Sequence, residues 1–337
     1  MARALVTGST AGLGLEFAWQ LAATGHDLVL VARDEDRLRA IACQIEHVAE
    51  VSVETLRADI SDREQLHKVA RRLLDPVSPI DLLVNNAGYG LRHGFLETDI
   101  EQHVRHMDTL MTAVMVLSHA AARAMVHRRK GAILNVSSLA AYTTAGTYAA
   151  AKSWVTVFTE SLAMELRGTG VTATALLPGY VHTEFHDRAA INVDGLPRIT
   201  WLKAPYVVEQ ALRDTAKGVV LSIPSLRYRA GREGAPFAPR SVIRDVTYGR
   251  WERWASRRRA QKAQRLTALR RTRLPWTGEV SGSAHSANDA SAPNQDRRDG
   301  EGHRSNGIHR SHGEQPTSGD SPVAGERSAP GKGPEPS

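Results

Sequence analysis

The chain has 337 residues, 42% of them hydrophobic and 23% charged, with one cysteine and a formal net charge of +7. A single cysteine excludes an internal disulfide framework, and no uninterrupted apolar run approaches the ~20 residues of a membrane span. After Met1 the chain goes straight into an apolar strand and a glycine-rich turn, so the expectation is a cytoplasmic protein with no signal peptide.

The charge is unevenly spread. Residues 1–239 carry 25 basic and 25 acidic side chains, residues 240–274 carry 12 and 2, and residues 275–337 carry 6 and 9. Three parts follow: a neutral globular domain (1–239), a basic segment expected to be helical (240–274) and a tail (275–337). The tail is rich in Gly, Pro, Ser, Asn and Asp and is expected to be disordered, because it cannot bury enough apolar surface to offset its ordering entropy.

In chain order, Ala4-Leu5-Val6 reads as a strand, followed by glycines and a helical apolar pattern at Leu15, Ala18, Trp19 and Ala22 that Gly25 closes. Leu28–Val31 is a second strand, and Asp34 is placed to cap a helix reaching Ile45. Val51–Leu56 is a third strand, Asp62–Leu74 a helix ending before Pro76, and Ile80–Val84 a fourth strand. One long helix is expected from Ile100 to His127, then a strand over Ala132–Val136, a helix over Thr147–Leu166 and a strand over Val171–Leu177. A last helix near Val207–Ala216 precedes Val219–Ile223. Strands without polar alternation, separated by helices, predict an α/β fold: a doubly wound parallel sheet covered on both faces, a Rossmann fold. Such sheets bind ligands beyond the carboxyl ends of their strands.

The first of those ends carries Thr7-Gly8-Ser9-Thr10-Ala11-Gly12-Leu13-Gly14. Glycines let backbone approach a pyrophosphate, and the following helix start offers free N–H groups to the anion. Later ends carry Asp59-Ile60, Asn85-Asn86-Ala87-Gly88, Ser137-Ser138, Tyr148-x-x-x-Lys152 and Pro178-Gly179-Tyr180-Val181-His182-Thr183. In this order and at these places, the motifs resemble those of the short-chain dehydrogenase/reductase family over about residues 2–230.

The resemblance implies a nicotinamide cofactor held by Gly8, Ser9, Gly12, Leu13 and Gly14, by Asp59 and Ile60, by Asn86, Ala87 and Gly88, and by Pro178, Gly179, Val181 and Thr183. It implies Tyr148 as acid/base, Lys152 tuning it and bonding the nicotinamide ribose, and Ser138 holding the substrate oxygen, with Ser137 the second candidate. Arg33 follows the second strand, where a 2′-phosphate wants an arginine; NADP(H) is favoured, with NAD kept open because Ala11 lacks the basic residue of many NADP-using relatives. From the residues themselves, Tyr148 and Lys152 share one helix face, and the ammonium is expected to lower the tyrosine pKa.

Two departures from the family pattern stand out. Leu110 falls where the family has a catalytic Asn, and a leucine side chain makes no hydrogen bond. The Ser138-to-Tyr148 spacing is also short. His182 and His186 are four apart but have no third ligand in view, so no metal site is expected.

The segment from His182 to Pro205, with Phe185, Ile191, Leu196, Ile199, Trp201 and Leu202, lies where the family carries a substrate lid, and its apolar side chains suit a hydrophobic carbonyl or alcohol. Ser225-Leu226-Arg227-Tyr228 resembles the C-terminal end of some bacterial members. The resemblance also implies a homo-oligomer paired through the helices holding Leu110 and Tyr148. The basic segment, with Trp251 and Trp254 among its arginines, reads as a solvated helix, as a helix on an acidic membrane surface, or least as a nucleic-acid contact. The function expected is an oxidoreductase interconverting carbonyl and alcohol; the alternative is a weakly catalytic nucleotide-binding sensor or scaffold recruited through the basic segment.

Overall fold

The computed structural model describes residues 2–185, 198–229 and 240–245, together with 247, 249, 260 and 264. The readings of the basic segment fall largely outside these residues. Those of the tail, and of His186, Ile191 and Leu196, fall wholly outside them.

Seven parallel strands form the sheet: β1 (Arg3–Thr7), β2 (Asp27–Ala32), β3 (Val53–Arg57), β4 (Leu82–Asn85), β5 (Gly131–Val136), β6 (Val171–Leu176) and β9 (Leu221–Ser222). Two short strands, β7 (Tyr180–Val181) and β8 (Trp201–Leu202), pair outside it. The order is β3-β2-β1-β4-β5-β6-β9. The chain therefore winds outward in one direction from β1 and in the other from β4, and the crevice between their carboxyl ends is the place where such a sheet takes ligands.

Helices explain why the strands do not alternate in polarity. Successive strand residues point to opposite faces, and both faces are covered. Ala4 and Val6 pack with Phe17 and Leu21 of α1 (Gly12–Ala23), Leu38 and Ile45 of α2 (Glu35–Ala49), and Val207 and Val208 of a late helix (Ala204–Ala216). Leu5 points the other way, towards Leu66 and Val69 of α3 (Arg63–Leu73) and Leu117 and Ala121 of α5 (Ala113–Arg128). Each fully buried Leu, Val or Phe contributes roughly 1.5–3 kcal/mol. β3, at one edge of the sheet, is its most exposed strand, and Glu54 there is held by Arg72 of α3 at 2.8 Å.

The element boundaries follow local chemistry. Asp34 and Asp62 cap α2 and α3 by accepting from the amides of Arg37 and Gln65, at 3.1 and 2.9 Å. The helix expected to run unbroken from Ile100 differs. It consists of α4 (Ile100–Met107), a π-turn (Asp108–Thr112) and α5. Taken through that turn it is 29 residues long, and its most apolar 18-residue stretch has a mean hydropathy of 1.4, by length and composition enough to cross a membrane. Half of its most apolar stretch is buried here, and α5 packs on β4 and β5. α6 (Gly146–Glu165) follows β5 and lies beside β6.

A buried polar network ties the strands to these helices. Asn85 Nδ2 donates to Ser118 Oγ at 3.1 Å and to Asn135 Oδ1 at 2.9 Å, and Asn135 Nδ2 donates to Thr159 Oγ1 at 3.0 Å. A satisfied hydrogen bond adds only about 1 kcal/mol, whereas a buried orphan costs ~1–3 kcal/mol. The network therefore contributes less to stability than to alignment: it penalises any register of β4, β5, α5 and α6 other than this one.

Candidate active site

The crevice is built first by backbone. Gly8 has φ +66° and Gly14 sits directly above it; a Cβ on Gly14 would lie 2.1 Å from Gly8 O and 2.4 Å from Asn86 Nδ2. Only glycine fits there, and the result is a cradle open to a phosphate at the start of α1. Ala11 caps that helix with no side-chain hydrogen bond, so its first amides stay available to an anion. Asn86 Nδ2 donates to Thr7 O and Gly8 O at 3.0 and 3.3 Å, and Thr7 Oγ1 accepts from the amides of Asn86 and Ala87. Thr183 reaches the same turn, with its Cβ 3.5 Å from a Cβ placed on Gly12. Ser9 is fully buried, and its hydroxyl, its own amide and the Gly8 amide all donate to Val31 O, so Gly8 and Ser9 brace the turn. Leu13 packs into the core behind it.

At the neighbouring strand ends, Asp59 accepts from the Ser61 amide and hydroxyl at 3.0 and 2.7 Å, and Ile60 is buried beside it. Burial would raise the Asp59 carboxyl. The two Ser61 bonds, then the positive charges of Arg33 and Arg105, outweigh it and hold the group below its ordinary value. Arg33 is itself exposed, so its guanidinium is free to meet a ligand at the crevice rim.

Tyr148 lies in the first turn of α6 and Lys152 one turn on. The Tyr148 hydroxyl is hydrogen-bonded to Ser138. Ser138 Oγ also accepts from the Ala140 amide at 3.1 Å, which fixes its orientation at the end of β5. Ser137, the second candidate, is excluded by geometry: its hydroxyl is buried, donates to Lys152 O at 2.7 Å and pairs with Thr156 at 2.8 Å. The structure thus brings Ser138, Tyr148 and Lys152 together despite the short spacing.

The electrostatics correct one expectation. Burial pushes the Tyr148 hydroxyl up to about 12, although its bond to Ser138 acts the other way; the lysine does not lower it. Lys152 Nζ lies 5.8 Å from the Tyr148 ring centroid and donates to Val136 O at 2.6 Å. Burial brings this amine down to about 8. Desolvation disfavours both charged forms and here exceeds their mutual attraction.

Leu110 sits in the π-turn, wholly buried. A Cβ on Gly88 would lie 2.9 Å from Leu110 Cδ2 and 3.8 Å from Lys152 Nζ, so Leu110 is an apolar wall beside the lysine, at the place the register gave it. Phe185 packs on Tyr148, with ring centroids 5.7 Å apart. His182 stacks on Trp201 at 4.4 Å.

Three aromatic residues escaped the sequence. Tyr89 and His106 meet edge to face beside Tyr148. Tyr228, noted only as part of a resemblance, packs on Gly179, where a Cβ would lie 2.2 Å from its ring. Its hydroxyl donates to Thr200 O. No periodicity marks any of them; a histidine in a helix or a tyrosine in a loop has no signal of its own.

Residues 2–194 match the family described as short chain dehydrogenase. An uncharacterised oxidoreductase of Staphylococcus saprophyticus is 33% identical over 183 residues, 53% of this chain and 78% of the relative. A galactitol 2-dehydrogenase (L-tagatose-forming) of Cereibacter sphaeroides is 36% identical over 186 residues, 54% of this chain and 72% of the relative. A short-chain dehydrogenase from Sphingobium yanoikuyae, solved in complex with NADPH, superposes with a TM-score of 0.64 at 32% identity, covering 71% of this chain and 97% of that one. The chain belongs to the short-chain dehydrogenase/reductase family and is an oxidoreductase with a site for a nicotinamide cofactor.

The lysine makes stability depend on pH. Its folded pKa of about 8 lies below the unfolded value of 10.5, so the unfolded chain binds more protons between those limits. Stability should therefore rise with pH from about 8 towards 10, by this group's contribution. Thermal melts of the wild type and Lys152→Met across that range test it: the rise should be smaller in the variant, and an identical rise in both would exclude Lys152 as its source.

Proposed function

We propose that this protein is an NADP(H)-dependent oxidoreductase that interconverts a hydrophobic ketone or aldehyde and its alcohol. The observation that carries the reading is the Tyr148 hydroxyl, bonded to Ser138 with Lys152 beside it, at the mouth of a glycine cradle that a single Cβ would fill.

The residues present fit the cofactor. Gly12, Leu13 and Gly14 would take the pyrophosphate with the uncapped amides at the start of α1, Gly8 and Ser9 shaping the turn beneath it, Arg33 would take the 2′-phosphate, and Asp59 and Ile60 the adenine. Asn86, Ala87, Gly88, Pro178, Gly179, Val181 and Thr183 would line the remaining length, and Tyr148 and Lys152 the nicotinamide ribose. When bound, the cofactor supplies or accepts a hydride at the substrate carbon. Ser138 orients the substrate oxygen. With its pKa near 12, Tyr148 holds its proton at neutral pH and acts as an acid in the reducing direction. Its O–H bond breaks as a new one forms on the substrate oxygen, and the hydrogen bond with Ser138, which acts to lower the Tyr148 pKa, stabilises the phenolate left behind. Phe185, packed on the Tyr148 ring, gives the site an apolar flank. The free, exposed Cys43 suits the reducing conditions of a cytoplasmic location.

Three measurements test this. NADPH oxidation should be followed with acetophenone, 2-octanone, cyclohexanone and ethyl acetoacetate. Tyr148→Phe should lower kcat by about 10²–10⁴-fold while NADPH still binds; full turnover in this variant would sink the mechanism, and binding without turnover on any carbonyl would favour the sensor reading. Arg33→Asp should shift kcat/KM from NADPH towards NADH by at least about tenfold, since a charge-assisted bond is worth ~1.5–3 kcal/mol; an unchanged ratio would move the 2′-phosphate contact elsewhere. The reading also pairs two copies through α5 and α6, whose exposed surface includes Met115, Val157 and Met164. Sedimentation velocity should show a dimer or larger species that Val157→Asp weakens, and a monomer at micromolar concentration would refute the pairing.

A further inference from the structure

Three successive residues after β7 touch three walls of the crevice. Thr183 packs on the glycine turn, its Cβ 3.5 Å from a Cβ placed on Gly12. Phe185 lies against the Tyr148 ring of α6, and its amide donates to Thr183 Oγ1 at 3.4 Å. Between them, Glu184 Oε1 lies 3.7 Å from Arg37 Nη2. Arg37 belongs to the first turn of α2, which follows the carboxyl end of β2, whereas α6 follows β5. β2 and β5 stand on opposite sides of β1 and β4, so this short stretch of chain reaches across the crevice from one side to the other.

Local chemistry prepares Arg37 for this contact. Its amide donates to the Asp34 carboxylate at 3.1 Å, which fixes the backbone from which the side chain leaves. Glu35, the neighbouring carboxylate of that turn, pairs instead with Arg39 and Arg57. The Arg37 and Glu184 side chains keep 43% and 54% of their surface exposed, so water and salt can open the pair. An exposed ion pair adds little to the stability of a fold. Its effect lies in where it holds the three residues, because Thr183 overlies the start of α1, whose uncapped amides face an anion.

We propose that Arg37 and Glu184 are positioning residues for the cofactor: their ion pair fastens residues 183–185 across the crevice as a strap that retains a bound dinucleotide. The inference rests on the reading of the glycine turn as the pyrophosphate site given above. A dinucleotide reaching from the end of β2 to Tyr148 has to pass Thr183, and to leave it has to displace the strap. The half-exposed ion pair is the fastening that opens without disturbing buried groups, so it sets the rate of release. The pair acts on the strap and touches no phosphate, which separates its role from that of Arg33. No covalent bond is made or broken.

Release of NADPH reads this directly. The full chain loaded with NADPH is mixed with excess NADP+ in a stopped-flow instrument, and the loss of bound-nicotinamide fluorescence gives the dissociation rate. Arg37→Gln and Glu184→Gln should each speed dissociation by about two- to fivefold at low salt, the weight of an exposed ion pair. The double variant should be no faster than either single one, and the exchanged pair, Arg37→Glu with Glu184→Arg, should return towards the wild-type rate. Raising salt from about 0.02 to 0.5 M should speed the wild type more than it speeds Glu184→Gln, because screening opens the pair in one and finds none in the other. Unchanged rates in both single variants, additive effects in the double variant, or failure of the exchanged pair to recover would overturn the strap. Faster release in Arg37→Gln with slower release in Glu184→Gln would overturn it too, since Arg37 would then hold the cofactor itself with Glu184 competing. A wild type that binds no NADPH refutes the nucleotide site instead, so the two failures are distinguishable.

Discussion

The short junction between β1 and β4 governs the rest of the molecule. Thr7 and Gly8 accept four hydrogen bonds across it, from the backbone amides of Asn86 and Ala87 and from the Asn86 side-chain amide. These bonds hold Gly8 and Gly14 in an approach that no side chain could survive. They also set the two strands from which the chain winds in opposite directions, so the crevice is a product of topology held open by a few polar contacts. Everything placed at its rim, from Arg33 to Tyr148, inherits its position from that junction.

Most of the fold was legible because its chemistry is local or periodic. Apolar runs named the strands, Asp34 and Asp62 announced the helix starts, and the glycine turn lay where a phosphate cradle belongs. The meeting of Ser138, Tyr148 and Lys152 was legible as well, since they sit on elements whose ends the sequence had already marked. Even the short spacing from Ser138 to Tyr148 proved harmless: a tight turn over Leu139–Tyr142 brings the serine back to the head of α6.

The remainder depends on who neighbours whom. Tyr148 and Lys152 share a helix face, and spacing alone led to the expectation of a lowered tyrosine pKa. Burial decides the sign instead, because the surrounding core withholds water from both groups. Ser9 looked like a ligand contact and proved to be spent on Val31 O. Whether a hydroxyl faces inward or outward at a turn is set by the adjoining strand, which no local pattern encodes. His106 shows the same limit: its tautomer is fixed by a carbonyl seventeen residues away.

The π-turn at Asp108–Thr112 has a consequence of its own. Buried positions at 103, 106, 110, 113, 117 and 121 run along both halves of the helix it interrupts. A regular helix would aim all of them in a single direction, at the sheet. One additional residue in the turn offsets the two halves by up to about 100°. The leading half can thus look into the crevice, with His106 against Tyr148, while the trailing half keeps Leu117 and Ala121 in the core. One buried stripe thus serves two tasks, lining the crevice in front of the turn and packing the core behind it.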